Sequence, residues 1–267
     1  MITSLQSPHV EVVKALLGSR GVKERREKSL FVIEGAQNLR SAIAADRKTI
    51  QTVYLTEEGR ARIADVDFTG LNVLDVSSQV MAAMTDTVTP QGILALAHID
   101  NRDFESWFTA RTKHLNVAYF WQLQDPGNAG TVIRAADAFG FDAILFSDQS
   151  VDIHSPKVVR SSAGSLWHIP SFEDVSWEQL REIALQKNAS ILALTAHGNQ
   201  DLAASVKNAQ EKSSFWIFGN EARGLPEEIT RDSAVQRVAI PMSGQAESLN
   251  VATAASVVMY VVSEGDK

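Results

Sequence analysis

Two polar side chains stand where an apolar C-terminal segment begins. Ser248 and Asn250 flank the start of a stretch that runs from Leu249 to about Val262 and has almost no charge. We therefore predict a buried helix there, with Ser248 as its N-cap. A hydroxyl and an amide beside the free N–H groups of a first helical turn are suited to holding a small ligand or an anionic group. An ordinary strand–loop–helix connection with a capping serine has the same pattern.

Two further stretches carry polar residues after apolar strands. In the first, 125–136, Asn128 lies in a loop and Arg134 near the start of the following helix, while the second, 218–226, holds Gly219 and Glu221. Taken singly, each side chain also has an ordinary structural explanation. Asn128 fits a turn residue, Arg134 a surface ion pair, and Glu221 a charge at a helix N-terminus. All three stretches nevertheless follow predicted parallel strands, and ligands of such sheets bind beyond the carboxyl ends of strands. Each stretch therefore occupies a position where such a sheet binds ligands.

Taken together and in this order, the three stretches resemble the signature motifs of the SpoU/TrmH family of RNA ribose 2′-O-methyltransferases, part of the SPOUT superfamily. The resemblance covers about 116–262. A weaker one covers the first hundred residues, which look like the RNA substrate-binding domain that often precedes the SpoU catalytic domain. The resemblance implies that S-adenosyl-L-methionine methylates a ribose 2′-hydroxyl in RNA. Ribosomal RNA is favoured over tRNA, because members that act on tRNA often lack the added domain.

The same resemblance implies site residues. The residues that match the family's catalytic motifs are Asn128, Arg134, Glu221, Ser248 and Asn250. For Arg134 we favour orientation and charge stabilisation, because a guanidinium does not readily lose a proton. The residues whose backbone groups are expected to surround the cofactor are Leu194, Thr195, Ala196, Gly219, Ile240, Met242 and Leu249. Asn220 departs from the serine of many members but keeps a small polar side chain.

The order of apolar strands and helical segments predicts an α/β fold. In the second half, continuous apolar strands alternate with helices, which indicates a parallel sheet buried on both faces. We expect an RNA substrate-binding domain in 1–100, a linker in 101–114 that Trp107 makes a packed segment, and a methyltransferase domain in 115–267. A C-terminal trefoil knot and a homodimer whose sites are completed across the interface are implied by the resemblance alone.

The charge distribution confines any electrostatic contact with RNA to a local surface. The formal net charge is −7, which argues against binding nucleic acid by bulk electrostatics. A basic loop after a first helix holds five cations against two acidic residues. These candidate RNA-binding residues are Arg20, Lys23, Arg25, Arg26 and Lys28. A solvated charged loop would have the same composition, and Glu34 in the following Phe-Val-Ile-Glu-Gly turn fits either an RNA contact or a structural role.

Absent motifs narrow the function classes. The chain has no cysteine, and its six histidines show no metal-like spacing, so we expect no metal site. The lack of cysteine also suits a cytoplasmic protein. Neither a G-x-G-x-x-G nor a P-loop pattern is present, which argues against a Rossmann oxidoreductase. The main alternative is a catalytically inactive SPOUT-fold protein that binds RNA or assists ribosome assembly. A resistance methyltransferase acting on ribosomal RNA would share the layout.

Overall fold

The computed structural model describes residues 1–18 and 20–265. The strands are β1 (Leu30–Glu34), β2 (Ile50–Leu55), β3 (Val73–Asp75), β4 (Ile93–His98), β5 (Asn116–Phe120), β6 (Ala143–Phe146), β7 (Ser171–Phe172), β8 (Ser190–Leu194), β9 (Gln200–Asp201), β10 (Ser214–Phe218) and β11 (Val235–Ala239). The helices are α1 (Pro8–Leu17), α2 (Gly21–Lys28), α3 (Ala36–Asp46), α4 (Glu57–Arg62), α5 (Ser78–Ala83), α6 (Phe104–Thr109), α7 (Pro126–Ala138), α8 (Pro156–Ser162), α9 (Trp177–Gln186), α10 (Leu202–Ala209), α11 (Glu227–Thr230) and α12 (Val251–Gly265).

The chain forms two compact units. The first comprises Met1–Asn101 with Asp152–His168, and the second comprises the remaining residues. This division differs from the predicted one, because Asp152–His168 was expected to belong with 115–267. Val159 of α8 is fully buried in an apolar cluster of the first unit, which explains the placement. The segment predicted as a linker contains α6, which packs into the core of the second unit.

The first unit is built on a mixed sheet. Its strand order is β1-β4-β2-β3, with β4 antiparallel to both neighbours and β3 parallel to β2. Successive residues of β1 enter different apolar clusters: Leu30 and Val32 join one, and Phe31 and Ile33 join the other. Because side chains alternate along a strand, β1 is buried on both faces and fixes the loop that follows it.

The segment predicted as a basic loop is helix α2, whose cations differ in exposure. Lys28 pairs with Glu24 at 2.8 Å, an i,i+4 spacing that only a helix brings together. Arg25 is 4% exposed and holds Asp152 of the same unit at 2.6 Å. Its guanidinium also donates to the Leu16 carbonyl. The expectation that Arg25 contacts RNA is therefore corrected by this structure, since its charge is neutralised inside the unit.

Glu34 at the end of β1 organises a neighbouring loop. Its carboxylate accepts hydrogen bonds from the hydroxyls of Thr85 at 2.7 Å and Thr87 at 2.5 Å. Arg160 lies 3.3 Å from the same carboxylate and 2.5 Å from Asp86. Of the two roles left open by the sequence, these contacts support the structural one.

The second unit contains a parallel sheet of order β7-β6-β5-β10-β8-β11-β9, in which every pairing is parallel. The predicted parallel sheet is thereby confirmed. All five residues of β10 are buried, with Phe215 and Ile217 in a cluster with α6 and α9. Phe218 stacks on Phe120 of β5 with ring centroids 4.9 Å apart. Among the described residues, no helix is both long and apolar enough to cross a bilayer.

Candidate active site

A cavity of about 550 Å³ opens at the carboxyl ends of β8, β10 and β11, which are neighbours in the sheet. All its lining residues except Thr230 fall within 194–197, 218–225 and 240–254, at and after the ends of these strands. Its position agrees with the rule that ligands of parallel sheets bind beyond the carboxyl ends of the strands. The cavity is the natural place for a ligand in the second unit.

All the residues expected to surround the cofactor line this cavity. They are Leu194, Thr195, Ala196, Gly219, Ile240, Met242 and Leu249. The hydroxyl oxygen of Thr195 is buried and has no hydrogen-bond partner within the described structure. Because buried hydroxyls nearly always find a partner, this oxygen fits a site that a polar ligand completes. The mixture of apolar walls with a few polar groups suits S-adenosylmethionine, whose adenine is flat and apolar on its faces.

Gly219 permits a close backbone approach within the second motif. A Cβ atom at this position would lie 2.5 Å from the carbonyl carbon of Gly224 and 2.7 Å from the Leu225 nitrogen. The turn that makes this approach is closed by two backbone hydrogen bonds between Asn220 and Gly224, of 3.1 and 2.9 Å. A side chain at Gly219 would therefore push apart the backbone that borders the cavity.

The first and second motifs meet through side chains. The helix α7 begins at Pro126, so Asn128 lies in its first turn and not in a preceding loop as predicted. Asp125 accepts the Asn128 N–H at 2.7 Å as the cap of this helix. Asn128 Nδ2 then donates to Glu221 Oε1 across 3.2 Å. Glu221 in turn lines the cavity, so α7 is tied to its rim.

The third motif joins the same chain of hydrogen bonds. Asn250 Nδ2 donates to Asn128 Oδ1 at 3.3 Å, and Asn250 Oδ1 accepts the N–H groups of Ala252 and Thr253. Asn250 is therefore the residue that caps α12, and the prediction of Ser248 as N-cap is wrong. The helix begins at Val251, two positions later than expected, because the asparagine oxygen lies within reach of its free N–H groups. Ser248 instead lines the cavity with an exposed hydroxyl.

Arg134 is not part of this chain of hydrogen bonds. It is exposed on α7 and is not among the residues that line the cavity. Within the described chain it makes no hydrogen bond or ion pair. Its guanidinium is thus available to another molecule.

The remaining basic candidates are on the first unit. Arg20, Lys23 and Arg26 are exposed, and Lys23 lies 3.5 Å from Glu27. With Lys28 they leave an accessible basic surface on α2 and its N-cap residue that does not include Arg25.

Several residues of the rim escaped the sequence reading. Arg223, His197 and Glu247 line the cavity, and Gln122, two residues after β5, accepts a hydrogen bond from Arg223 at 3.0 Å. The signal available in the sequence was adjacency, since Arg223 lies inside the second motif. Gln122 carried no such signal, because its role depends on a partner 101 positions away.

The second half of the chain matches a known family model. Residues 116–260 match the SpoU rRNA methylase family, and residues 8–95 match the MRM3-like substrate-binding domain. The chain belongs to the SpoU rRNA methylase family. The resemblance drawn from the three motifs is therefore confirmed, together with the α/β class of the fold. The trefoil knot stays a prediction.

Individual relatives of this family agree over nearly the whole chain. The 23S rRNA (guanosine(2553)-2'-O)-methyltransferase RlmP of Bacillus subtilis is 33% identical over 238 residues, which cover 89% of this chain and 90% of RlmP. The AdoMet-bound rRNA methyltransferase from Sinorhizobium meliloti superposes with a TM-score of 0.80 at 26% identity, over 98% of this chain and 96% of the other. The SpoU methyltransferase AviRb from Streptomyces viridochromogenes, at 22% identity, shares the fold with a TM-score of 0.80 over 97% and 98% of the two chains.

Proposed function

We propose that the protein methylates a ribose 2′-hydroxyl of ribosomal RNA with S-adenosylmethionine as the methyl donor. The observation that carries this proposal is the junction of three motifs at one cavity, through residues as far as 122 positions apart. Membership of the SpoU family supports the same activity. Ribosomal RNA is the substrate named for RlmP, and the domain match at 8–95 supports a separate substrate-binding unit.

The cavity residues would hold the cofactor by two kinds of contact. Leu194, Ile240 and Leu249 offer apolar walls, and the backbone groups beside them can read the polar edge of an adenine. The unpartnered Thr195 hydroxyl can bond a polar group of the ligand. When bound, S-adenosylmethionine supplies a sulfonium methyl group that an aligned oxygen can displace.

The motif side chains would act on the RNA. We assign to Arg134 the orientation of the 2′-hydroxyl and the stabilisation of negative charge that develops on its oxygen. Glu221 Oε1 is engaged by Asn128, which leaves Oε2 free to accept a hydrogen bond from the arginine. The Ser248 hydroxyl and the Asn250 amide complete the polar rim that positions the ribose.

The position of Arg134 supports a homodimer. Since Arg134 lies on the exposed side of α7 and outside the cavity lining, we propose that each site receives the partner subunit's Arg134. The test mixes two variants, Arg134→Ala and Gly219→Ala, at a cofactor concentration too low to load the Gly219→Ala cavity. Half of a random mixture is heterodimer with one intact site, so about a quarter of wild-type activity should return. A monomer in light scattering, or no recovery in co-expressed heterodimers, would contradict the shared site.

The activity itself is tested with labelled cofactor. Purified protein is incubated with methyl-labelled S-adenosylmethionine and an unmodified 23S rRNA transcript, and labelled RNA is then mapped for a bond that resists alkaline hydrolysis. We expect saturable binding near one cofactor per chain and one labelled ribose. Absence of cofactor binding both with and without RNA would overturn the proposal. Cofactor or RNA binding without turnover on ribosomal RNA would favour the inactive binding protein instead.

Two accessory parts of the proposal follow from the substrate. The exposed cations Arg20, Lys23, Arg26 and Lys28 are proposed to contact the RNA backbone, which adds a salt-dependent term to affinity. Because ribosomal RNA is the proposed substrate, we propose the cytoplasm as the place of action.

A further inference from the structure

Gln122 adopts a backbone conformation that glutamine seldom takes. It lies two residues after β5 with φ of 47°, in the left-handed region. Its N–H donates to Ser147 Oγ at 2.8 Å, and its carbonyl accepts the Asn220 side-chain amide at 2.7 Å. Both backbone groups are therefore fixed, and the conformation aims the side chain at the rim of the cavity. An unfavourable conformation that is held so firmly points to a role for the side chain.

That side chain holds Arg223. The Gln122 Oε1 atom accepts a hydrogen bond from an Arg223 Nη2 group at 3.0 Å. The backbone of Arg223 is also fixed, because Asn220 Oδ1 accepts its N–H at 3.1 Å. A guanidinium has five N–H donors, so one bond to glutamine orients the group and leaves the others free. The side chain stays exposed while its direction is set from two sides.

Arg223 brings a positive charge to a cavity rim that also carries two carboxylates. Among the described residues that line the cavity, it is the single lysine or arginine, and Glu221 and Glu247 are the carboxylates. RNA that approaches this rim meets two negative charges and one positive charge. A guanidinium binds phosphate oxygens in a bidentate manner, which fixes orientation as well as adding affinity. Gln122 is neutral and does not compete for the charge.

We propose that Arg223, oriented by Gln122, binds a phosphate of the RNA backbone next to the ribose that is methylated. Arg223 is then a substrate-binding residue and Gln122 its positioning residue. The inference rests on the proposed function, since it names a substrate contact of the same site. The phosphate contact of Arg223, a residue of the second motif, would add to the contacts that the other motif residues make with the RNA.

The test compares Arg223→Ala with a matched control. Arg231→Ala removes a cation of the same unit that is also exposed and bonded, at 2.8 Å to Glu227, but lies outside the cavity lining. Binding to an unmodified 23S rRNA transcript is measured over a salt series. For Arg223→Ala we expect a slope of log affinity against log salt that is smaller by about 0.7–0.9, the change for one lost phosphate contact. Arg231→Ala should keep the wild-type slope.

Cofactor titration separates this proposal from two competitors. We expect Arg223→Ala to bind S-adenosylmethionine as wild type does, with KM for RNA raised roughly tenfold and kcat little changed. Arg223→Lys should keep the salt slope and restore part of KM, since it keeps the charge but loses the bidentate geometry. Gln122→Leu, which removes the acceptor, should raise KM without changing the slope. Its effect should vanish in the Arg223→Ala background.

The outcomes distinguish failure of this inference from failure of the proposed function. An unchanged salt slope and KM in Arg223→Ala overturns the phosphate contact while wild-type methylation of the transcript still stands. A weaker cofactor affinity with an unchanged slope would assign Arg223 to the cofactor and also overturn it. If wild-type protein neither binds nor methylates the transcript, both proposals fail.

Discussion

Asn128 Nδ2 donates a hydrogen bond to Glu221 Oε1 across 3.2 Å. This bond joins the first turn of α7 to the loop after β10. The strand before α7 is β5, which is the neighbour of β10 in the sheet. Asn250 extends the chain by donating to Asn128 Oδ1 at 3.3 Å. The amide of Asn128 is therefore oriented from both ends, with its nitrogen toward a carboxylate and its oxygen toward an amide.

This chain of bonds predicts non-additive effects on activity. Asn128→Ala and Glu221→Ala should each lower kcat/KM, and the double variant should lose little more than the stronger single variant. The reason is that residues bonded in one network fail together, with a coupling of about 0.5–3 kcal/mol. The measurement is a double-mutant cycle on kcat/KM. Effects that simply add would show that the two side chains act separately.

Arg134→Ala should lose methyl transfer while it keeps the cofactor. Removal of one group that stabilises developing charge costs roughly 10²–10³-fold in kcat. Because Arg134 does not line the cavity, the dissociation constant for S-adenosylmethionine should stay at the wild-type value. Single-turnover methylation and calorimetric titration measure the two quantities. Full turnover in the variant would remove the assigned role.

Substitutions of Asn250 and Ser248 should differ in their effect on stability, because Asn250 caps α12 and Ser248 does not. Asn250→Ala should lower the free energy of unfolding by about 1 kcal/mol, since two N–H groups of the first turn lose their acceptor. Ser248→Ala should leave stability unchanged within about 0.5 kcal/mol, because its hydroxyl caps nothing. Urea unfolding monitors both variants, and methyl transfer should fall in both. Equal stability of the two variants would contradict the assignment of the cap.

Gly219→Ala tests the close approach at the cavity. The added Cβ would meet the backbone at Gly224, so we expect a loss of stability of about 1–3 kcal/mol. Cofactor affinity should fall by at least about tenfold, or 1.4 kcal/mol, because the displaced backbone borders the site. Gly244→Ala is the matched control, since no atom lies within 4 Å of its added Cβ. A wild-type melting temperature and affinity in Gly219→Ala would contradict the geometry.

The ion pair between Asp232 and Arg181 should make the free energy of unfolding depend on pH. The hydrogen bond from Arg181 is the main cause that lowers the pKa of the Asp232 carboxyl below its ordinary 3.8, with the Ala234 N–H adding to it. Since the pKa is lower in the folded state, the unfolded state binds more protons at acid pH, and stability rises with pH there. The stabilisation from this carboxylate is fully present above pH 3.8, the unfolded pKa, and is lost as the pH falls through the lower pKa of the folded protein.

The matched comparison for this term is Asp232→Asn. At neutral pH the variant should be less stable by about 0.5–1 kcal/mol, the size of a partly exposed ion pair. This difference should shrink in acid and in high salt. Urea unfolding of both proteins from pH 3 to 7 measures it. A difference that stays constant over the whole range would show that the pair contributes nothing through its charge.

The sequence by itself determined the family, the class of fold and the neighbourhood of the site. It did so because parallel strands buried on both faces show as continuous apolar runs, and their carboxyl ends meet at one edge. Polar residues that follow such strands must therefore lie close together, whichever helices intervene. The wall residues from Leu194 to Leu249 were predicted from the resemblance, and the cavity contains all of them.

Only the tertiary structure decided which partner each polar group takes. Arg25 and its acceptor Asp152 are 127 positions apart, so no local pattern distinguished a buried ion pair from an exposed RNA contact. The same holds for Gln122 and Arg223 at the rim. Asn250 caps α12 in place of Ser248 because its amide is also held by Asn128. Hydrogen bonds and burial depend on what packs nearby, and for these groups the neighbours come from distant parts of the chain.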